Sequence, residues 1–278
     1  ATLNTAEHFK LDLDLGGIAP GRYADILFVG DLNKLDITRV VADGKIVAEN
    51  GKLTTTIERK SVPEWAKKTM NVGITITPEQ IKIKAPINEG TVKVHVVGVV
   101  EAKVITKHLI EEIPVKNGYL EPRIEDDIVK AAVFERHHGT GGYGIGFVKG
   151  FGFREGAVGS TVAHDSHNLL VAGTNDEDMA FAAQKLIEVG GGMIVVNKRE
   201  VLGLVKLPVA GLMSEASVDV VSEEVRKLDT AWKKIGKTMI SPFMTMALLA
   251  LSVIPELRIT DKGIIDVLEF KKIPLIAE

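Results

Sequence analysis

The amino-acid sequence predicts a mixed α/β (α+β) protein in which a small unit of β-sandwich type is followed by a C-terminal αβ domain. Short apolar runs bounded by glycine, proline and Asp-Gly turns indicate strands. Apolar residues at helical spacing indicate a few helices later in the chain. With 278 residues, 45% of them hydrophobic, the chain is long enough to bury a substantial core in one or two domains.

The first predicted elements form a small β unit over roughly residues 12–57. A turn at Pro20-Gly21 leads into its first strand, and Asp43-Gly44 between two apolar runs is a strong hairpin signal. The strands are expected at residues 24–29, 38–42 and 45–49. The charged segment 58–68, which contains Pro63, is typical of a linker.

Beyond the linker, the sequence predicts strands first and helices later. Strands are expected at residues 74–76, 81–84, 91–100, 127–134, 157–163, 169–173, 193–197 and 201–207. Thr174 and Glu177 have the spacing of a capping box, which predicts a helix that runs to about Val189. Apolar residues at helical spacing predict a second helix over residues 218–235, and Ser241-Pro242 predicts the start of a third.

Charge and composition exclude several classes of partner and site. The net charge of -3 gives no general attraction to nucleic acid or to an anionic membrane. Without cysteine, the chain can form neither disulfides nor thiolate metal sites. The longest apolar stretch, residues 244–254, is shorter than the ~20 residues of a bilayer span, and no signal peptide is visible at residues 1–10. We therefore expect a cytoplasmic protein.

Four of the seven histidines fall in two segments, residues 134–146 and 160–168. Both segments lie at the ends of predicted apolar strands, where polar side chains can converge on one cavity. Imidazole can bind a metal, shuttle a proton or hydrogen-bond a heterocycle, and Asp165 could orient a neighbouring ring. The alternative interpretation is that these segments are solvated surface loops. The four histidines are His137, His138, His164 and His167.

The glycine-rich stretch 139–152 invites a nucleotide-binding interpretation that the sequence does not support. Gly139, Gly141 and Gly144 match G-x-G-x-x-G, but a dinucleotide site needs a helix to begin there, and no helical pattern follows. We expect these glycines to let the backbone approach a ligand or a neighbouring domain closely.

Five motifs of the second half carry a family resemblance. They are Glu135-Arg-His-His-Gly-Thr-Gly141, Gly146-Phe-Val-Lys-Gly-Phe-Gly152, Ser160-Thr-Val-Ala-His-Asp-Ser-His-Asn168, Gly173-Thr-Asn-Asp-Glu-Asp-Met179 and Pro242-Phe-Met-Thr245. In their residues and in their order along the chain, they resemble motifs of the adenine deaminases of the amidohydrolase superfamily. The segments 15–29 and 33–49 resemble the strand and hairpin that follow the barrel throughout that superfamily.

The resemblance implies a domain arrangement and a reaction. Residues 1–11 would be a remnant of the last barrel helix, 12–64 the amidohydrolase β-sandwich segment with its linker, and 65–278 the C-terminal domain. The family hydrolyses adenine to hypoxanthine and ammonia with divalent metals (manganese, iron or zinc) held in a barrel through a His-x-His motif and other residues. No His-x-His occurs in this chain, and a barrel takes about 250 residues. We therefore expect the chain to be inactive alone and to need an upstream barrel.

The resemblance also implies which residues contact the substrate or hydrogen-bond those that do. These candidates are Glu135, His137, His138, Thr140, His164, Asp165, Ser166, His167 and Asn168. A homo-oligomer is expected, because residues 15–29 would leave apolar surface exposed without the barrel. Two alternatives remain open: a non-catalytic ligand-binding or oligomerisation module, and an independent metal site at His138, His164 and His167.

Overall fold

The computed structural model describes residues 2–58 and 60–277, and it shows the predicted mixed α+β class. Ala1, Arg59 and Glu278 lie outside the described residues, so the outermost limits of the predicted domains are not described. The chain divides into two compact units between Ser61 and Val62. None of the described helices is long and apolar enough to cross a bilayer.

The first unit contains one short helix and one antiparallel sheet. Its elements are α1 (Leu3–His8), β1 (Ile26–Asp31), β2 (Asp36–Ala42), β3 (Lys45–Glu49) and β4 (Lys52–Leu53). The sheet order is β1-β2-β3-β4. Asp43 and Gly44 both have left-handed backbones, with φ of 48° and 73°, as the tight turn between β2 and β3 requires. The predicted hairpin is therefore confirmed.

An apolar cleft of about 740 Å³ lies in the first unit. It is lined by residues of α1, β1 and β2 and of the segment between α1 and β1, including Leu11, Leu15 and Tyr23. Phe9 and Ile18, which also line the cleft, are exposed. Exposed apolar surface of this kind is typical of an interface.

The second unit is built on a nine-stranded sheet. Its strands are β5 (Gly90–Val99), β6 (Thr106–Lys116), β7 (Tyr119–Leu120), β8 (Ile128–Phe134), β9 (Tyr143–Lys149), β10 (Ala157–Ser160), β11 (Leu169–Gly173), β12 (Gly192–Asn197) and β13 (Glu200–Lys206). The spatial order is β13-β12-β10-β11-β8-β9-β5-β6-β7. Among the strand pairs of this sheet that the structure describes, β5–β9 is parallel and the others are antiparallel. Every residue of β8, β10 and β11 is buried, so both faces of the central sheet are covered.

One face of this sheet is covered by α2 (Pro78–Ile81) and α3 (Asp176–Glu188). Met179, Ala183 and Leu186 of α3 share a core with Val171 and Ile194 of the sheet. The apolar residues of α3 thus lie on one side of the helix, as its position against a sheet requires.

Three predicted elements on this face are wrong: the cap of α3 and the strands at residues 74–76 and 81–84. Asn175, not Thr174, caps α3, since its Oδ1 accepts a hydrogen bond of 2.8 Å from Asp178 N. The Thr174 hydroxyl donates to Gly156 O (3.1 Å) instead, because the neighbouring backbone already supplies it with an acceptor. Residues 78–81 form the short helix α2 where the start of a strand was predicted at residue 81, because Pro78 occupies the first helical position.

The other face of the sheet carries two helices and a second small sheet. These are α4 (Val218–Ile235), α5 (Pro242–Ala247), β14 (Leu257–Thr260), β15 (Gly263–Asp266) and β16 (Lys271–Ile273). The rings of Phe151, Phe153 and Phe243 lie 4.9–5.7 Å from that of Trp232 in the core beneath α4. A side chain at Gly144 would collide with the carbonyl oxygen of Thr260, so glycine at this position lets the turn between β14 and β15 lie against β9.

Candidate functional site

The two histidine-rich segments lie at the same end of the nine-stranded sheet. Residues 135–142 join β8 to β9, and residues 161–168 join β10 to β11. Phe134 at the end of β8 is paired with Leu169 at the start of β11, so the β8–β9 loop begins beside the end of the β10–β11 loop. His137 Nε2 lies 2.7 Å from the carbonyl oxygen of Ser166. Because a carbonyl only accepts, this nitrogen carries the hydrogen.

Glu135 is buried at the base of the β8–β9 loop, with 5% of its surface exposed. One carboxylate oxygen accepts the backbone N–H groups of His137 (2.5 Å) and His138 (2.9 Å). The other accepts the N–H (3.2 Å) and the hydroxyl (3.1 Å) of Thr140. Burial raises the pKa of Glu135, but these hydrogen bonds outweigh it and lower the pKa to about 2. The side chain is therefore an anion that stabilises the conformation of its own loop through these hydrogen bonds.

Arg136 is the next residue, is 1% exposed, and joins the two loops. Its guanidinium donates to the carbonyl oxygens of His167 (2.5 Å), Thr69 (3.2 Å) and Ala210 (3.0 Å). Its backbone N–H donates to Asn168 Oδ1 (3.3 Å). Burial lowers the pKa of Arg136 to about 10, which leaves it charged at neutral pH. Arg136 was not among the predicted site residues, although a cation two residues after the end of the buried strand β8 was an available signal.

The imidazole rings lie in two pairs. The ring centroids of His164 and His167 are 5.4 Å apart, and those of His137 and His138 are 6.4 Å apart. Burial lowers the pKa of His167, and the neighbouring His164 and Arg136 lower it further. His167 is therefore neutral near pH 7. Its buried Nδ1 makes no hydrogen bond to any described residue.

The predicted site residues divide into two groups by exposure. His137, His138, Thr140, Asp165 and Ser166 are exposed at the loop surfaces, and His164 and His167 are half-buried. Glu135 and Asn168 are buried and hold the loops. The exposed and half-buried side chains are accessible to a ligand, and the buried pair hydrogen-bonds the loop backbone.

A cavity of about 460 Å³ opens beside the β10–β11 loop. Asp165 and Ser166 line it together with Leu251, Asp261 and Phe270. Leu251, Asp261 and Phe270 come from the segment around β14–β16, which was not predicted to lie near the histidines. A volume in this range, with both apolar and polar walls, is typical of small-molecule pockets.

Among residues 2–58 and 60–277, no three or more histidine, aspartate or glutamate side chains are placed to hold a metal ion. His138, His164 and His167 thus do not form a ligand set. The side chains described here do not fit the binuclear centre that the resemblance implies.

Comparisons with known proteins identify the family. Residues 103–271 match the family described as the adenine deaminase C-terminal domain, and residues 1–47 match the amidohydrolase family. An adenine deaminase of Moorella thermoacetica is 48% identical over 99% of this chain and 46% of its own length. One of Clostridium botulinum (strain ATCC 19397 / Type A) is 49% identical over 100% and 46%.

A further relative, adenine deaminase 2 of Carboxydothermus hydrogenoformans, is 45% identical over 99% of this chain and 47% of its own length. The chain therefore spans less than half the length of these relatives. Its resemblance to them is confirmed over essentially all of its residues. The chain belongs to the adenine deaminase family, and its larger unit contains that family's C-terminal domain.

Proposed function

We propose that this chain forms the C-terminal part of a protein that hydrolyses adenine to hypoxanthine and ammonia. The observation that carries the proposal is the convergence of the two family motifs, seen in the contact between His137 Nε2 and Ser166 O. The relatives that match the whole chain are named adenine deaminases. The proposal includes a cytoplasmic location and assembly into a homo-oligomer.

In this proposal the reacting centre lies in an amidohydrolase barrel supplied by the rest of the protein. That barrel would hold the divalent metal, whether manganese, iron or zinc, since the described residues of this chain do not fit such a centre. The apolar cleft of the first unit, with the exposed Phe9 and Ile18, would be covered by the barrel. The β8–β9 and β10–β11 loops would close the mouth of the barrel over adenine.

The first test compares this chain with the full-length protein. We expect the purified 278-residue chain to release no ammonia from adenine with or without added manganese, and the full-length protein to release it. Chelator-sensitive ammonia release by the chain alone would contradict the assignment of the metal centre to the remainder. An inactive, metal-loaded full-length protein would instead favour a ligand-binding or oligomerisation module.

The second test concerns the imidazoles. In the full-length protein, alanine at His138 or His164 is expected to lower kcat/KM. The loss should correspond to ~1–3 kcal/mol of transition-state stabilisation, the range for losing a hydrogen bond to a buried or charged group. The matched control is His108→Ala, because His108 lies on β6 and bonds to His95 Nδ1 (2.7 Å) away from both loops. If neither loop variant differs from His108→Ala per mole of folded enzyme, the loops do not contact the substrate.

A further inference from the structure

Glu135 is separated from the two histidines of the β8–β9 loop by Arg136 alone, and its carboxylate accepts the backbone N–H groups of both. We propose that Glu135 is a positioning residue, whose carboxylate shapes this loop so that the rings of His137 and His138 face the substrate. The effect of Glu135 on catalysis rests on the proposed function. The dependence of the His137 and His138 ring positions on Glu135 can be tested without it.

The loop is closed around this one side chain. Glu135 N donates to Gly142 O (2.9 Å) at the neck of the loop. Inside the loop, the Thr140 hydroxyl accepts from Gly142 N (3.1 Å) while it donates to the carboxylate. Three of the five N–H groups between residues 137 and 141 therefore point at Glu135. The carboxylate replaces the solvent that these groups would otherwise need.

The same contacts leave Glu135 no capacity for a ligand or a proton. A carboxylate has about four acceptor positions, and the four donors on the loop occupy them. The group is 5% exposed, so a substrate cannot reach it. Because hydrogen bonds to the ionised form lower its pKa to about 2, it stays an anion across the range in which an enzyme works. It acts through the histidines.

The outer side of the loop is hydrogen-bonded to residues 71–72. The positions of the His137 and His138 rings therefore depend on the conformation of the loop. Gly141 N donates to Val72 O (3.2 Å), and Asn71 N donates to Arg136 O (2.8 Å). Gly139 has a left-handed φ of 66°, and a side chain there would lie 2.7 Å from Asn71 Oδ1. With the loop held by Glu135 on its inner side and by residues 71–72 on its outer side, the His137 ring contacts Ser166 O. Loss of the hydrogen bonds to Glu135 should therefore break the contact between His137 and Ser166.

Glu135→Gln tests this dependence with almost no change in volume. The amide presents an NH₂ group either to the N–H groups of His137 and His138 or to the N–H and hydroxyl of Thr140, so one of these two pairs of donors loses its acceptor. Asp178→Asn is the matched control, since Asp178 is also buried (3% exposed) and accepts the backbone N–H groups of Lys198 (3.1 Å) and Arg199 (2.7 Å). Asp178 lies on α3, and the two N–H groups that it accepts belong to the turn between β12 and β13.

The first measurement is NMR of the imidazole nitrogens in the purified chain labelled with ¹⁵N-histidine. In Glu135→Gln we expect the His137 ring to lose its fixed Nε2–H tautomer and the signals of His137 and His138 to move. In Asp178→Asn we expect both to stay as in the parent chain, although both variants lower Tm. Unchanged ring signals in folded Glu135→Gln, or equal changes in Asp178→Asn, would overturn the proposal.

A milder variant serves if Glu135→Gln does not fold. Thr140→Val removes one of the four donors and keeps the other three, so we expect a smaller shift of the same ring signals. Thr140→Ser keeps the hydroxyl and should restore the parent signals. Identical spectra for folded Thr140→Val and the parent chain would also count against the proposal.

The second measurement is the pH profile of the full-length protein with adenine. Glu135→Gln is expected to lower kcat/KM about tenfold or more, as for the loss of hydrogen bonds to a charged group, while both limbs of the profile keep their positions. Loss of one limb would show that Glu135 itself carries a proton and would refute the positioning role. If the full-length protein does not act on adenine, the proposed function fails and the NMR result still decides the role of Glu135.

Discussion

Replacing Arg136 with methionine is expected to destabilise the folded chain by about 3–5 kcal/mol. The substitution leaves three carbonyl oxygens, those of His167, Thr69 and Ala210, without their donor. Each buried acceptor that loses its partner costs about 1–3 kcal/mol. Methionine fills much of the volume, so the loss reports mainly on the hydrogen bonds. Urea unfolding of the purified chain measures it.

The matched control for this prediction is Arg226→Ala, whose side chain is 70% exposed beside Glu223 on α4. It should stay within about 0.5 kcal/mol of the parent chain. Arg136→Lys should fall between the two, because one ammonium group cannot reproduce the planar fork of a guanidinium. A change of less than 1 kcal/mol for Arg136→Met would mean that other contacts hold the two loops together.

Replacing Trp232 with alanine is expected to cost about 3–5 kcal/mol of unfolding free energy, the usual range for a large aromatic residue lost from a core. Trp232 is 1% exposed, and its ring contacts Phe151, Phe153 and Phe243. Its indole N–H donates to Lys237 O (3.1 Å). The cavity would lie between α4 and the sheet, so loosening of α4 should accompany the loss.

The chain contains two tryptophans, and the other, Trp65, is 79% exposed. Trp65→Ala should therefore leave the midpoint of urea unfolding nearly unchanged. Tryptophan fluorescence distinguishes the two residues. Emission from the buried Trp232 shifts to longer wavelength on unfolding, whereas Trp65 is already exposed to solvent in the folded chain. Equal destabilisation by both variants would show that Trp65 is also packed in the folded state.

Local patterns predicted the elements whose shape depends on neighbouring residues. The hairpin at Asp43-Gly44 was predicted because few residue pairs adopt its turn. Helix α4 was predicted because its apolar side chains repeat at helical spacing, and Gly236 ends it. In both cases the residues that decide the structure are close together in the chain.

Elements that depend on distant residues were missed or displaced. Strands β14–β16 were not predicted, although each pairs with its neighbour in the chain. What depends on a distant segment is their packing against β9. The cap of α3 moved from Thr174 to Asn175 because Gly156, 18 residues earlier, takes the Thr174 hydroxyl. A spacing rule cannot include such a competitor.

For the candidate site, motif order was enough to identify the family and to select both histidine-rich loops. Residue type could not separate the roles within them, because the environment of each side chain is set by the folded shape of its loop or by segments distant in sequence. The fold buries Glu135 beneath four donors of its own loop and places the guanidinium of Arg136 among three carbonyls from separate segments. Burial and hydrogen bonding set the pKa of a polar group and decide whether a ligand can contact it. In this protein they depend on the closed shape of the β8–β9 loop for Glu135, and on three segments distant in sequence, at Thr69, His167 and Ala210, for Arg136.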